Sequence, residues 1–358
     1  MACRPTIREN QPSAVGRRSL LLGAAAWCAC AAGCSTSTKT SSPTGSPSTT
    51  GSPSTTVSPS AAGPPTASGS TASAGSGATL PPAVPWRPGA SEVEPAAKVA
   101  AVRLIEALGT WPTGQGGPDR AAARAAALGI PARLAGALTA QAGPLTPAAD
   151  AAVVRVIDAQ YGGILADSAS VLVVCAQSTR AGAAVHDGGT TVDVRLSRTS
   201  TGWGVTSLHP ADPGPPAALG ASARAVLARS RIELPPASAA DIRSGQVHES
   251  VLSAMLALAG DYRVSVSVVR SGHPLNVFGT NRPSDHPLGR AFDVWRIDGH
   301  PVVDPATSRG LITAFMRAAA AAGSYNVGGP VQLTGGATAN QYFSDATHHD
   351  HVHIGFTG

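Results

Sequence analysis

The chemistry-bearing residues of this chain gather in two short stretches. One is Ser284-Asp285-His286-Pro287-Leu288-Gly289-Arg290-Ala291-Phe292-Asp293; the other, some sixty residues on, is Thr347-His348-His349-Asp350-His351-Val352-His353. His348, His349, His351 and His353 are four of the ten histidines in the chain. Imidazole is the commonest protein ligand for a transition metal, and a catalytic zinc takes three side chains while leaving one position for water. His286, Asp293 and His353 make such a set. Pro287 and Gly289 exclude a helix between the first two, so His286 belongs to a loop and Asp293 to a strand over 290–297 that turns back at Asp298-Gly299. On a second strand His351 and His353 share one side, because side chains alternate. Two adjacent strands then deliver ligands to one point. Strict alternation sends Asp350 to the opposite face, unless the strand begins only at about His351 and the loop before it curls back. Asp350 is therefore expected at a strand entrance with its carboxylate free, as general base towards a zinc-bound water.

The elements that must position these residues are legible upstream. A capping-box pattern at Ser91-Glu92-Val93-Glu94 opens a helix with Val99, Val102, Leu104 and Ile105 on its apolar face. Helices are expected over 119–128 and 131–142. The period then changes to strands around Val153 to Ile157, Val171 to Ala176, Val192 to Leu196 and Gly204 to Leu208, with Gly188-Gly189 and Thr201-Gly202 as turns. Helices followed by a strand meander define a small α+β domain over 91–210, of a shape that resembles the NTF2-like folds. Pro210, Pro213, Pro215 and Pro216 mark a boundary. Beyond it come a short helix over 221–230, a Pro-rich turn, a helix over 246–259 and the alternating strand Tyr262 to Val269.

Ser284-x-His286-x-x-Gly289-x-Ala291-x-Asp293 with Asp350-His351-Val352-His353 resembles the zinc D-alanyl-D-alanine carboxypeptidase family, in the wider group that includes lysostaphin-type endopeptidases and the hedgehog signalling domain. The resemblance covers about residues 240–358. It implies an α+β fold with a small antiparallel sheet, Zn2+ on His286, Asp293 and His353, Asp350 as base, and His351 stabilising the tetrahedral intermediate. Its implied substrates are peptidoglycan stem peptides. The family's Ser-Gly-Tyr-Arg segment is replaced here by Ser271-Gly272-His273-Pro274, so the arginine that faces substrate is displaced. Arg270 and Arg282 are the favoured substitutes, with Ser284 beside them. His186, His209, His248 and His300 read as structural residues, His348 and His349 as rim residues.

Arg17-Arg18-Ser19-Leu20-Leu21 opens an apolar run too short to span a bilayer, a twin-arginine type of export signal over 1–33. It ends in Ala31-Ala32-Gly33-Cys34, which resembles a bacterial lipobox and implies lipid on Cys34. Residues 34–90 are almost wholly Ser, Thr, Pro, Gly and Ala, a tether that cannot bury a core. The expected location is the extracytoplasmic face of the cell membrane. Charge of +5 without basic runs interleaved with aromatics excludes a nucleic-acid partner. Cys175, inside an apolar run, is expected as a small buried hydrophobe. Taken together the peptidase domain spans 211–358, and the leading expectation is a zinc metallopeptidase of the cell wall. Two alternatives stand beside it: a zinc-holding binding module without activity, and a wall- or partner-binding lipoprotein acting through 91–210.

Overall fold

The computed structural model describes residues 79–357. The export signal, Cys34 and the tether as far as residue 78 lie outside the described residues. The last stretch expected as tether is not loose: Trp86 packs against the first core, and its backbone N–H donates to Glu106 Oε1 at 3.0 Å.

Among the described residues the chain is α+β, with two sheets that each carry their own core. Three helices open it, α1 (Pro95–Gly109), α2 (Pro118–Ala126) and α3 (Ala132–Gln141). The capping box does not form. Glu94 is the N-cap without a side-chain bond, Pro95 starts the helix, and Glu92 turns inward to meet Lys98. Four long strands follow as an antiparallel meander: β1 (Ala151–Ile164), β2 (Ser168–Ala181), β3 (Ala184–Thr199) and β4 (Gly202–Pro210). Leu104, Ile105 and Leu108 of α1 pack with Val171, Val173 and Cys175 of β2 and Val192 and Val194 of β3. Cys175 is fully buried, and burial pushes its thiol up to about 12. Gly188-Gly189 proves not to be a turn but part of β3; the chain reverses at Gly182, whose φ is +59°. Gly189 is glycine because a Cβ there would meet the Cys175 carbonyl oxygen at 2.2 Å.

The second half begins with α4 (Ala221–Ala228), β5 (Ile232–Glu233), α5 (Pro236–Arg243) and α6 (Glu249–Asp261). The expected Pro-rich turn is thus the start of a helix, since Pro236 occupies its first turn where a missing N–H costs nothing. Then come β6 (Val264–Val266), β7 (Ala291–Ile297), β8 (His300–Pro301), α7 (Arg309–Ala321), β9 (Asn326–Gly328), β10 (Tyr342–Phe343) and β11 (Val352–Gly355). The strand expected over Tyr262 to Val269 is only three residues long. The sheet order is β10-β9-β11-β7-β6-β5, with β8 paired to β7. Val251, Met255 and Leu258 of α6 and Phe315 and Met316 of α7 fill the core beneath it.

The two sheets meet at a small apolar seam of Leu172, Val174 and Val268, flanked by Ile157. Polar contacts do the rest, several of them from β1. Along β1 the residues in the first core are Val154 and Val156, then Ala159 and Tyr161, so the parity changes between them. The register against β2 slips at that point, between Val156 and Asp158. A bulge of this kind re-aims the side chains that follow it. Gln160 is thereby turned out of the first core and towards the second sheet.

Candidate metal centre

β11 and β7 run antiparallel and side by side, and their register sets His353 directly opposite Asp293. His286 arrives from the preceding loop, which is closed by Gly289 N–H donating to the His286 carbonyl at 2.8 Å. Gly289 has φ +70°, and a Cβ there would meet the Gln246 carbonyl oxygen at 2.1 Å, so no other residue fits without distortion. The loop and the pairing of the two strands are as the sequence leads one to expect, but β11 begins at Val352 and leaves His351 just ahead of it. Three donor atoms converge: His286 Nε2 lies 3.1 Å from Asp293 Oδ1 and 3.1 Å from His353 Nδ1, and the last two are 3.0 Å apart.

That triangle suits a metal ion. A tetrahedral ion with ligands at about 2.0–2.1 Å spaces its donors roughly 3.3–3.4 Å apart. His286 Nδ1 donates to the Val269 carbonyl at 2.8 Å, which leaves its Nε2 lone pair facing the centre. Burial lowers His353 to about 4, so its imidazole is neutral and ligand-competent. Burial raises Asp293, but the neighbouring His286 and His351 outweigh it and hold the carboxyl well below its usual range. All three side chains are buried, at 1%, 0% and 9% exposure for His286, Asp293 and His353.

A fourth imidazole was not foreseen. His273, His286 and Asp293 form a group able to hold a metal ion, with donor atoms within 4.8 Å of one another. The His273 ring stacks on His286 at 4.1 Å between centroids, and its Nδ1 is 3.0 Å from the Pro274 carbonyl, so Nε2 is the atom free to accept. Burial and the adjacent His286 keep it well below its ordinary value. His286 and Asp293 belong to both sets, and the triangle with His353 is the tighter one. The signal in the sequence was the place of His273 in the Ser271-Gly272-His273-Pro274 segment, which stands where the family pattern has its substrate-facing residues.

Asp350 corrects an expectation. Its carboxylate is not free: Oδ2 accepts from the Tyr161 backbone N–H at 3.0 Å and pairs with Lys98 Nζ at 2.6 Å, while Oδ1 bonds His351 Nδ1 at 2.6 Å. The strand begins at Val352, and the short 3-10 turn Thr347–His349 before it directs Asp350 inward, towards the first sheet. His351 is the side chain that reaches the centre, its Nε2 3.8 Å from Asp293 Oδ2. Burial opposes its charge, but Asp293 and Asp350 raise it to about 9.

The site opens into a cleft of about 670 Å³ lined by His273, Arg282, Ser284, His286, His348, His351 and His353, with Tyr161 to Ile164 of β1 and the following Leu165 as another wall. Arg282 and Ser284 are therefore at the cleft. Arg270 is not. Its guanidinium donates to the Pro213 carbonyl at 2.8 Å and sits 3.7 Å from Asp241, and it lines a separate cavity. The reason lies in α5: Asp241 accepts the Arg270 and Ser271 backbone N–H groups, both at 2.9 Å, and draws the arginine to its own side. His348 pairs with Asp345 at 2.8 Å on the cleft rim, whereas His186, His209, His248 and His300 are exposed.

Fold and site together define an α+β protein with a buried His/Asp group able to hold a metal ion. The chain matches no family model, no curated protein and no solved structure.

Proposed function

We propose that the chain is a zinc metallopeptidase that hydrolyses peptide bonds in peptidoglycan stem peptides, on a hedgehog/D-Ala-D-Ala-peptidase-like fold. The observation that carries the reading is the 3.0–3.1 Å triangle of His286, Asp293 and His353 at the floor of an open cleft, with the Asp350–His351 pair beside it. Zinc held there would supply a Lewis acid for the scissile carbonyl and bring bound water to a pKa of about 7. In this reading the roles within Asp350-His351 differ from those the family pattern suggests. His351 would handle the proton as an acid, since Asp293 and Asp350 raise it to about 9, and Asp350 orients the ring by accepting from Nδ1, which turns Nε2 to the cleft. Arg282 is placed to meet the substrate's carboxylate or carbonyl. Export and a lipid anchor on Cys34, read from the amino-terminal sequence, would hold the domain at the outer face of the membrane, within reach of the wall.

The test is zinc content together with hydrolysis of stem peptides ending in D-Ala-D-Ala and of crosslinked muropeptides. Wild type is expected to carry about one zinc per chain. His351→Ala and Asp350→Ala are each expected to retain zinc and lose hydrolysis by about 10²–10⁴-fold, the usual contribution of a positioned acid–base group. Zinc binding without cleavage of either substrate by wild type would sink the peptidase reading and leave a metal-holding binding module.

A further inference from the structure

We propose that β1 of the first sheet is part of the metal centre, with Gln160 a positioning residue that restricts Asp293 to one metal-binding oxygen. The inference rests on the metal reading above and gives the domain over 91–210 a role that its sequence does not reveal. The two oxygens of Asp293 have different surroundings. Oδ1 faces His286 Nε2 and His353 Nδ1, at 3.1 and 3.0 Å. Oδ2 accepts from Gln160 Nε2 at 2.6 Å and has His351 Nε2 at 3.8 Å. One oxygen is left for a metal and the other is occupied by support.

Gln160 has little freedom to do anything else. It is fully buried, and its Oε1 accepts from the Ser267 hydroxyl, which itself sits on the strand end beside β7. Rotating the carboxamide would set its oxygen against a carboxylate, so the chemistry of the two neighbours fixes which end donates. A hydrogen bond to an ionised acceptor is about twice as strong as a neutral one. A purely structural seam would gain more from an apolar side chain here than from a buried carboxamide that must be satisfied at both ends. The bulge ahead of Asp158 is what turns Gln160 to this face, so a local irregularity of the first sheet is directed at the ligand of the second.

Groups that orient metal ligands commonly carry about 10–100-fold in metal affinity. Full-length Gln160→Met keeps the length of the side chain and removes the donor. It is expected to bind zinc about 10–100-fold more weakly in competition with a chromophoric chelator, while its metal-free melting temperature stays within a few degrees of wild type. With cobalt in place of zinc, its visible absorption is expected to weaken, because a carboxylate freed to bind through both oxygens raises the coordination number. Ser267→Ala, which leaves the donor but loosens it, should fall between the two. Wild-type affinity and an unchanged cobalt spectrum in Gln160→Met would overturn the proposal; if that variant does not fold, wild-type affinity in Ser267→Ala overturns it instead. Wild type that binds no zinc removes the metal reading and this inference with it. Zinc without hydrolysis removes only the peptidase reading.

Discussion

Lys98 is the least expected residue of the site, an ammonium at 1% exposure set between Glu92 at 2.5 Å and Asp350 at 2.6 Å. One positive charge serves three carboxylates, since Asp158 shares the same neighbourhood. The third proton-binding group gives way: burial raises Asp158 to about 7, with Lys98 opposing and Asp350 and Glu92 adding to the rise. Its Oδ2 is sealed from solvent without a hydrogen-bond partner. A carboxyl whose folded pKa lies above the ordinary value of about 3.9 holds more protons folded than unfolded. Its stabilising contribution is complete below about pH 4 and is lost as pH rises through 7. Asp158→Asn should therefore melt higher than wild type at pH 8 and nearly level with it at pH 4, both read by circular dichroism in chelator. A variant that melts lower at pH 8 would contradict the assignment.

At the scale of elements, the short loop between His286 and Asp293 is the tightest device in the site. Gly289 is held at φ +70°, its carbonyl accepts from His248 N–H at 2.9 Å, and the space over its Cα is closed by the Gln246 carbonyl. Gly289→Ala is expected to cost about 1–3 kcal/mol from backbone strain alone, with more from the clash, and to weaken metal binding as His286 is displaced. Denaturant unfolding and zinc titration would measure the two effects, and an alanine variant with wild-type stability would refute the argument. This loop was legible from Pro287 and Gly289, and so was the pairing of the two ligand-bearing strands, because period-two alternation fixes which residues share a face. What surrounds them was not. α5 was hidden by Pro235-Pro236, which reads as a turn although proline also opens helices. Gly188-Gly189 reads as a hairpin although the glycines answer to a close backbone approach. The partners of Asp293 and Asp350, Gln160 and Lys98, stand 133 and 252 residues away from them in the chain. No periodicity reports a contact of that kind. The bulge that aims Gln160 is likewise a register slip between two strands and has no mark in either strand alone.

For the whole molecule, the candidate metal centre has contacts from both halves of the fold. Anything that binds only the native state stabilises it, by about 2.7 kcal/mol at a hundredfold excess over Kd. At about 2–4 °C per kcal/mol for chains of this order, chelation is expected to lower the melting temperature by roughly 5–10 °C, and stoichiometric zinc to restore it. An unchanged melting curve after exhaustive chelation would count against a structural contribution from the metal. Differential scanning calorimetry with and without zinc is the direct measurement.

The bond from Gln160 to Asp293 joins two bodies that have separate cores and only a small apolar seam between them. Coupling between two equilibria is reciprocal: whatever factor the docked first sheet adds to metal affinity, the bound metal must add to docking. The first sheet is then a reporter as well as a support. On the proposed role of Gln160, a chain that lost a bound ion would also lose grip along one wall of its own cleft, so occupancy of the centre and the shape of the cleft would be thermodynamically coupled.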